Sequence, residues 1–225
     1  MTASPTDERI RKGDRTRRAI LARATDIASL EGLEGLSIGR LATDLAISKS
    51  GVFAHFGSKE ELQLAAIDAA VAIYRQRVVL PAQSEPSGLV RLWLLADGWL
   101  AYSRERVFPG GCFFFNAQAE FDARPGRVRD ALATASSRWH DLLGKAAEDA
   151  RCAGDTVADL DADQLVFEVI AFLEAANGTN LLHEDGRAYD RAATAIRSRL
   201  LNASTAPASL APRLTPRGDL RDPAA

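Results

Sequence analysis

The chain has 225 residues, 47% apolar and 26% charged, with a formal net charge of -2, which suits a globular protein with one sizeable core or two smaller ones. Two cysteines, Cys112 and Cys152, are too few for a disulfide framework or a thiolate zinc site, and they read as reduced thiols. No apolar run approaches the ~18 residues of a membrane helix, and the polar start lacks a secretory apolar stretch, so a cytoplasmic location is expected.

Residues 1–13 are polar and carry Arg9, Arg11 and Lys12, which predicts a flexible basic arm. From Arg15 a helix is predicted, because Ile20, Leu21, Ala24, Ile27 and Ala28 recur at helical spacing. Gly32 and Gly35 end it. Ser37 then caps a short helix with Ile38, Leu41, Ala42 and Leu45 on one stripe. A second short helix follows at once, capped by Ser48, with Val52 and Phe56 inward and Gly57 at its end. Ser58 with Glu61 forms a capping box that opens a long helix from about residue 59 to 80, stopped by Pro81.

The remainder also reads as helix. Leu89, Leu92, Trp93, Ala96 and Leu100 make one stripe, closed by Pro109, Gly110 and Gly111. A short apolar segment spans 112–121, and Pro125 suits the first turn of a helix ending near Gly154. Asp161 caps a helix to about residue 182, and a last one covers about 188–201. Beyond residue 203 the chain is rich in Pro, Ala and Ser without periodicity, which predicts a disordered tail over 204–225. The fold class is therefore all-α, with about nine helices.

Two short helices joined by a tight turn and followed by a long helix describe a helix-turn-helix. Its second helix lies in a DNA major groove and must present donors there. Ser48, Lys49 and Ser50 sit at that helix's N-terminus, where free N–H groups favour a phosphate or a base edge. Gly51 removes bulk that would hinder close approach. His55 and Lys59 follow where the chain turns back, and they suit phosphate contacts that position the protein. Lys59 at a helix start opposes the dipole, which favours a role outside the helix. Between Arg9 and Arg23 there are seven cations against one acid, Asp14. A basic end on an acidic chain is the footprint of a confined nucleic-acid face. Arg15, Arg17, Arg18 and Arg40 are candidate phosphate contacts, and Ser37 at the backbone-crossing helix joins them.

Leu41-Ala42, Ile47-Ser48 and the run Phe53-Ala54-His55-Phe56-Gly57-Ser58-Lys59-Glu60-Glu61-Leu62 resemble the DNA-binding domain of TetR-type transcriptional regulators. The resemblance is close over about residues 15–62. One departure stands out: the family usually has tyrosine where this chain has Phe53, so a hydroxyl contact to phosphate is absent, although the ring can still pack on sugar or methyl groups.

The resemblance implies a DNA-binding domain over 14–62 with a connecting helix to about 80, and an effector-binding and dimerisation domain over 81–203. It implies an internal pocket lined by aromatic residues, with Trp93, Trp99, Tyr102 and Trp139 as candidates. Phe113, Phe115, Phe121 and Phe172 extend that set, with Asn116, Gln118 or Glu120 as polar handles. It also implies a homodimer, whose interface would use Phe167, Ala171, Glu174, Ala175 and Gly178, with Ile196 and Leu200 from the last helix. The expected function is a repressor that binds a palindromic operator and is released by a small-molecule effector. Neither a metal nor a cofactor is expected. The rival reading, an all-α enzyme or ligand-binding protein acting on a small apolar molecule, has no nucleophile elbow, paired-histidine motif or glycine-rich phosphate loop to support it. Cys112 has no base or cation cluster beside it in sequence, so a redox role has little support.

Overall fold

A computed structural model describes residues 5–86 and 88–216. Among these there are ten α-helices and no strand, only an isolated bridge between Thr156 and Ser204. The helices are α1 (Pro5–Glu31), α2 (Ile38–Asp44), α3 (Lys49–Phe56), α4 (Lys59–Tyr74) and α5 (Gly88–Arg104). They continue with α6 (Phe113–Phe121), α7 (Arg127–Cys152), α8 (Ala162–His183), α9 (Arg187–Ala203) and α10 (Pro207–Leu210). The residues cluster into two compact units. One comprises the chain up to Ala72 together with Phe108–Ala133, and the other comprises Ile73–Val107 with the chain from Thr134 onward.

This division differs from the expected boundaries: by contact, residues 108–133 of the expected 81–203 segment cluster with the N-terminal unit. The physical reason is close backbone contact. A Cβ on Gly110 would lie 1.8 Å from the Ser29 carbonyl oxygen, so only glycine lets this loop rest on α1. Gly110 N–H donates to Ser29 Oγ (3.0 Å), and the Asn116 amide donates to the Ser29 carbonyl (2.8 Å) and the Gly110 carbonyl (3.1 Å). From α6, Glu120 accepts the backbone N–H of Leu33 (2.7 Å) and of Glu34 (3.0 Å). Ile20, Ile27, Leu33, Leu36, Leu41, Val52, Leu62 and Phe113 are fully buried in this unit. Each such side chain contributes roughly 1.5–3 kcal/mol by leaving water.

In the second unit α5 packs against both α8 and α9, which also pack on each other. Trp93, Leu165, Val169, Tyr189, Ile196 and Leu200 fill its core. The long connecting helix predicted to residue 80 is α-helical only to Tyr74. It widens into a π-helical turn over Arg75–Val79 and a 3-10 turn over Leu80–Ala82, because Pro81 cannot donate a backbone hydrogen bond.

Two expected disordered segments are ordered. Residues 5–13 form the first turns of α1 rather than a loose arm, since Pro suits a helix start and arginine and lysine are good helix formers. Residues 1–4 of that arm lie outside the described residues. At the other end, residues 204–216 fold back on the second unit. Leu214 is 0% exposed, the Trp93 indole N–H donates to the Thr215 carbonyl (3.2 Å), and Arg197 donates to the carbonyls of Leu214 (3.2 Å) and Ala211 (3.2 Å). Arg213 also pairs with Glu85 (2.7 Å). The anchors are a single pair of leucines, Leu210 and Leu214, and carbonyls held by remote side chains, which is too little for a helical period to be read from sequence. Residues 217–225 lie outside the described residues.

The sequence also hid one apolar span. α8 is long and apolar enough, by length and composition alone, to cross a membrane. One side of it is buried against α9 and α5, as in the core helix of a globular protein. Cys112 is buried and Cys152 exposed, and no disulfide joins them.

Candidate nucleic-acid interface

The helix-turn-helix forms because each boundary carries its own signal. Ser37 accepts the N–H of Arg40 (3.1 Å) and so caps α2. Ser48 accepts the N–H of Gly51 (3.0 Å) and caps α3, and the Ser48 and Ser50 hydroxyls lie 3.1 Å apart. Ala46 makes the turn between these helices with a φ of 52°, a left-handed conformation unfavourable for alanine. Gly57 ends α3 with a φ of 71°, where glycine is at ease. Only half of the predicted capping box exists. Ser58 Oγ accepts from Glu61 N–H (3.1 Å), but Ser58 N–H donates to the Phe56 carbonyl (2.8 Å), and the Glu61 carboxylate pairs with Arg127 (2.6 Å).

Val52 and Phe56 bury the inner side of α3. Its outer side exposes Lys49, Ser50, Phe53 and Ala54, with Phe53 54% exposed. A cation, a hydroxyl, an aromatic ring and a methyl group on one open face are the chemistry of base-edge and thymine-methyl contact. Ala54 was not singled out from sequence; its position four residues after Ser50 was the available signal. A Cβ on Gly51 would meet Ser48 Oγ at 3.1 Å, so this glycine also leaves room for the cap.

The predicted cations differ in their freedom. Arg15, Arg18 and Lys49 are exposed, and the Arg18 guanidinium makes a long contact to the Asp14 carbonyl (3.4 Å). Arg17 instead donates to the His55 carbonyl (3.1 Å) and stacks over the Phe56 ring, 4.7 Å from its centroid, tying α1 to the end of α3. His55 is half-buried in the last turn of α3. Arg40 binds Glu31 through both guanidinium ends, one contact being 2.7 Å. Lys59 Nζ binds the Glu34 carboxylate (2.8 Å) and the Glu34 carbonyl (2.8 Å). These bonds hold the Glu31 and Glu34 carboxyls below the usual range and raise the Arg40 guanidinium. The acids were not anticipated from sequence, because pairing across a fold has no local signature.

The nine pocket candidates do not fall into one unit. Phe113, Phe115, Asn116 and Phe121 lie in the N-terminal unit, where Asn116 is committed to Ser29 and Gly110. Trp93, Trp99, Tyr102, Trp139 and Phe172 lie in the second. There, Trp93 and Trp99 are core residues, while Tyr102 and Trp139 both make edge contacts with the Tyr74 ring, at 5.5 and 5.4 Å. A buried polar cluster escaped sequence reasoning. Ser103 Oγ lies 2.8 Å from Asn177 Oδ1 and 2.9 Å from the Tyr189 hydroxyl, which Asn180 approaches at 3.4 Å. Burial raises the Tyr189 phenol.

Of the interface candidates, Phe167, Ala171, Glu174 and Ala175 are exposed along one face of α8 and Gly178 is half-exposed, while Leu182 continues that face at 78% exposure. Ile196 and Leu200 are a correction: both are 0% exposed in the single chain, packed in its own core and out of a partner's reach.

A family model described as bacterial regulatory proteins, tetR family, matches residues 20–66. Another, described as tetracyclin repressor-like, C-terminal domain, matches residues 88–196. No curated protein matches the chain. Among solved structures, a TetR transcriptional regulator from Chloroflexus aurantiacus J-10-FL superposes with a TM-score of 0.80 at 24% identity, covering 86% of this chain and 98% of that one. A Saccharomonospora viridis protein in complex with choline gives 0.69 at 22% identity, covering 82% and 95%. AibR, in complex with isovaleryl coenzyme A and operator DNA, gives 0.61 at 19% identity, covering 72% and 86%. At these identities the structural likeness is one of fold.

Proposed function

Because the chain belongs to the TetR family of DNA-binding transcriptional regulators, we propose that it acts as a homodimeric repressor that binds a palindromic operator and is released by a small-molecule effector. The observation that carries the DNA reading is the open outer face of α3, where Lys49, Ser50, Phe53 and Ala54 stand clear of the core. In this reading α3 enters the major groove, and Ser37, Arg40, His55 and Lys59 flank it toward the phosphates. Arg15 and Arg18 add charge along α1. Arg17 acts mainly by holding α3 in place.

The dimer reading draws on the α8 face from Phe167 to Leu182, which is exposed, lined with small residues and apolar apart from Glu174. Two-fold symmetry then requires half-sites about one DNA turn, roughly 34 Å, apart or a multiple of it. Effector release draws on the precedents of AibR, solved with isovaleryl coenzyme A and operator DNA, and of the choline complex. An effector works only through its differential affinity for the two states, typically ~1–3 kcal/mol of coupling. Family membership favours a regulator over an enzyme, and a cytoplasmic site of action follows from binding DNA.

The test is a gel shift on the DNA upstream of the protein's own gene, at two salt concentrations with excess competitor. A specific, salt-sensitive shift that Lys49→Ala and Phe53→Ala weaken supports the reading. If neither that fragment nor a random-library selection yields a bound sequence, the DNA reading fails.

A further inference from the structure

Two of the expected phosphate contacts are already bound. Arg40, on α2, is held by both oxygens of Glu31, the last residue of α1. Lys59, the first residue of α4, is held by the carboxylate and the carbonyl of Glu34. Both acids come from the short stretch that closes α1 and leads to α2. A carboxylate engaging a guanidinium through two oxygens reproduces the geometry with which a phosphate would do so.

Glu34 is not a wandering side chain. Its backbone N–H is fixed by Glu120 (3.0 Å), and its second carboxylate oxygen accepts from Gln63 (3.3 Å), which also donates to the Leu33 carbonyl (3.0 Å). The acid is thus presented to Lys59 by contacts from α6 and α4 of the same unit. Helix stability does not call for a cation at the start of α4, where the dipole favours an acid. The pairs themselves are half-exposed, with side-chain exposures of 36% and 45% for Arg40 and Glu31 and 44% and 50% for Lys59 and Glu34, so they add little to the fold.

We propose that Glu31 and Glu34 serve as internal phosphate mimics: in the DNA-free protein they occupy Arg40 and Lys59, so that a DNA backbone must displace them. The proposal rests on the reading of Arg40 and Lys59 as phosphate contacts. Its consequence is a threshold on affinity. Every duplex, specific or not, must displace the same two acids, and this lowers sequence-independent binding. Only a duplex that also satisfies the outer face of α3 recovers enough to stay bound, while the ratio of specific to random affinity is left unchanged.

The test is a fluorescence-anisotropy titration of a random-sequence duplex with the full chain, at several salt concentrations. Glu34→Gln and Glu31→Gln each keep the shape of the side chain and one acceptor oxygen. Each is expected to tighten random-duplex binding about twofold to fivefold at low salt, the range a half-exposed pair supports, with the gain shrinking as salt rises. The gain must depend on the cation: Glu34→Gln in a Lys59→Ala background, and Glu31→Gln in an Arg40→Ala background, should change nothing. Lys59→Ala and Arg40→Ala should each weaken binding to all duplexes alike. If the alanine variants weaken binding but the glutamine variants do not tighten it, the mimic proposal is overturned and the phosphate contacts stand. Equal tightening with and without the cation also overturns it, because the acids would then act by general repulsion. If the alanine variants leave binding unchanged, both the proposal and the phosphate assignments fall. A thermal melt accompanies each variant, and should one glutamine variant melt early, the other pair decides the question by itself.

Discussion

Leu214 lies in a stretch whose composition reads as an unstructured tail, and replacing it with alanine should unfold part of that reading. Its side chain is 0% exposed, and its carbonyl accepts from Arg197 (3.2 Å). The next carbonyl, of Thr215, accepts the indole N–H of Trp93 (3.2 Å), itself 0% exposed. Leu214→Ala removes the buried branch and leaves a cavity beside the core, which costs about 2–5 kcal/mol in well-packed sites. The segment is near the chain end and can relax, so the lower half of that range is expected. In a chain of this size each kcal/mol lowers Tm by about 2–4 °C, so a fall of roughly 4–14 °C should appear in a melt followed by circular dichroism. Thr215→Ala is the control, because its exposed side chain is not the acceptor, and it should stay within about 0.5 kcal/mol of the parent. Equal stability of Leu214→Ala and the parent in urea and in heat would refute the reasoning, since a solvated leucine loses nothing on truncation.

Ala46→Gly should stabilise the helix-turn-helix by about 0.5–1 kcal/mol, because it relieves a left-handed φ of 52°; a lower urea midpoint would contradict this. Glu120→Ala should destabilise the N-terminal unit by about 1–3 kcal/mol, since it strips the Leu33 and Glu34 N–H groups of their acceptor, and faster amide exchange at both residues is the specific signature to look for. Phe167→Asp replaces an exposed aromatic on the α8 face, which already carries Glu174, with a second acid and should turn a dimer into monomers in analytical ultracentrifugation without lowering the monomer's melt. Persistence of the dimer would remove α8 from the interface.

The parts that were legible in the sequence are those written in short-range chemistry. Ser37, Ser48 and Asp161 each cap the helix predicted for them, with the cap oxygen on the N–H three residues ahead. Val52 and Phe56 point inward as their spacing requires. These signals act over one helical turn, so they survive without knowledge of the fold. The errors came from longer reach. Ile196 and Leu200 share the apolar stripe of α9, and a stripe looks the same whether it meets α5 and α8 of its own chain or a second copy. Phe113 and Trp93 look alike as core aromatics, yet close passage of the Gly110 loop over Ser29 carries Phe113 into the other unit.

Sequence by itself determined the all-α class and the helix-turn-helix, because caps, turn glycines and apolar periods are local consequences of backbone sterics and side-chain reach, and the run from Phe53 to Leu62 carried the resemblance to the family. Only the tertiary structure decided which cations stay open and which are held. It set Arg17 on His55 and Phe56, Arg40 on Glu31 and Lys59 on Glu34, and left Lys49 on the exposed face of α3. It also folded residues 204–216 onto Trp93 and Arg197. Such pairings join residues from 9 to 122 positions apart. They arise when packing brings opposite charges or donors and acceptors together, and no spacing in the chain announces them.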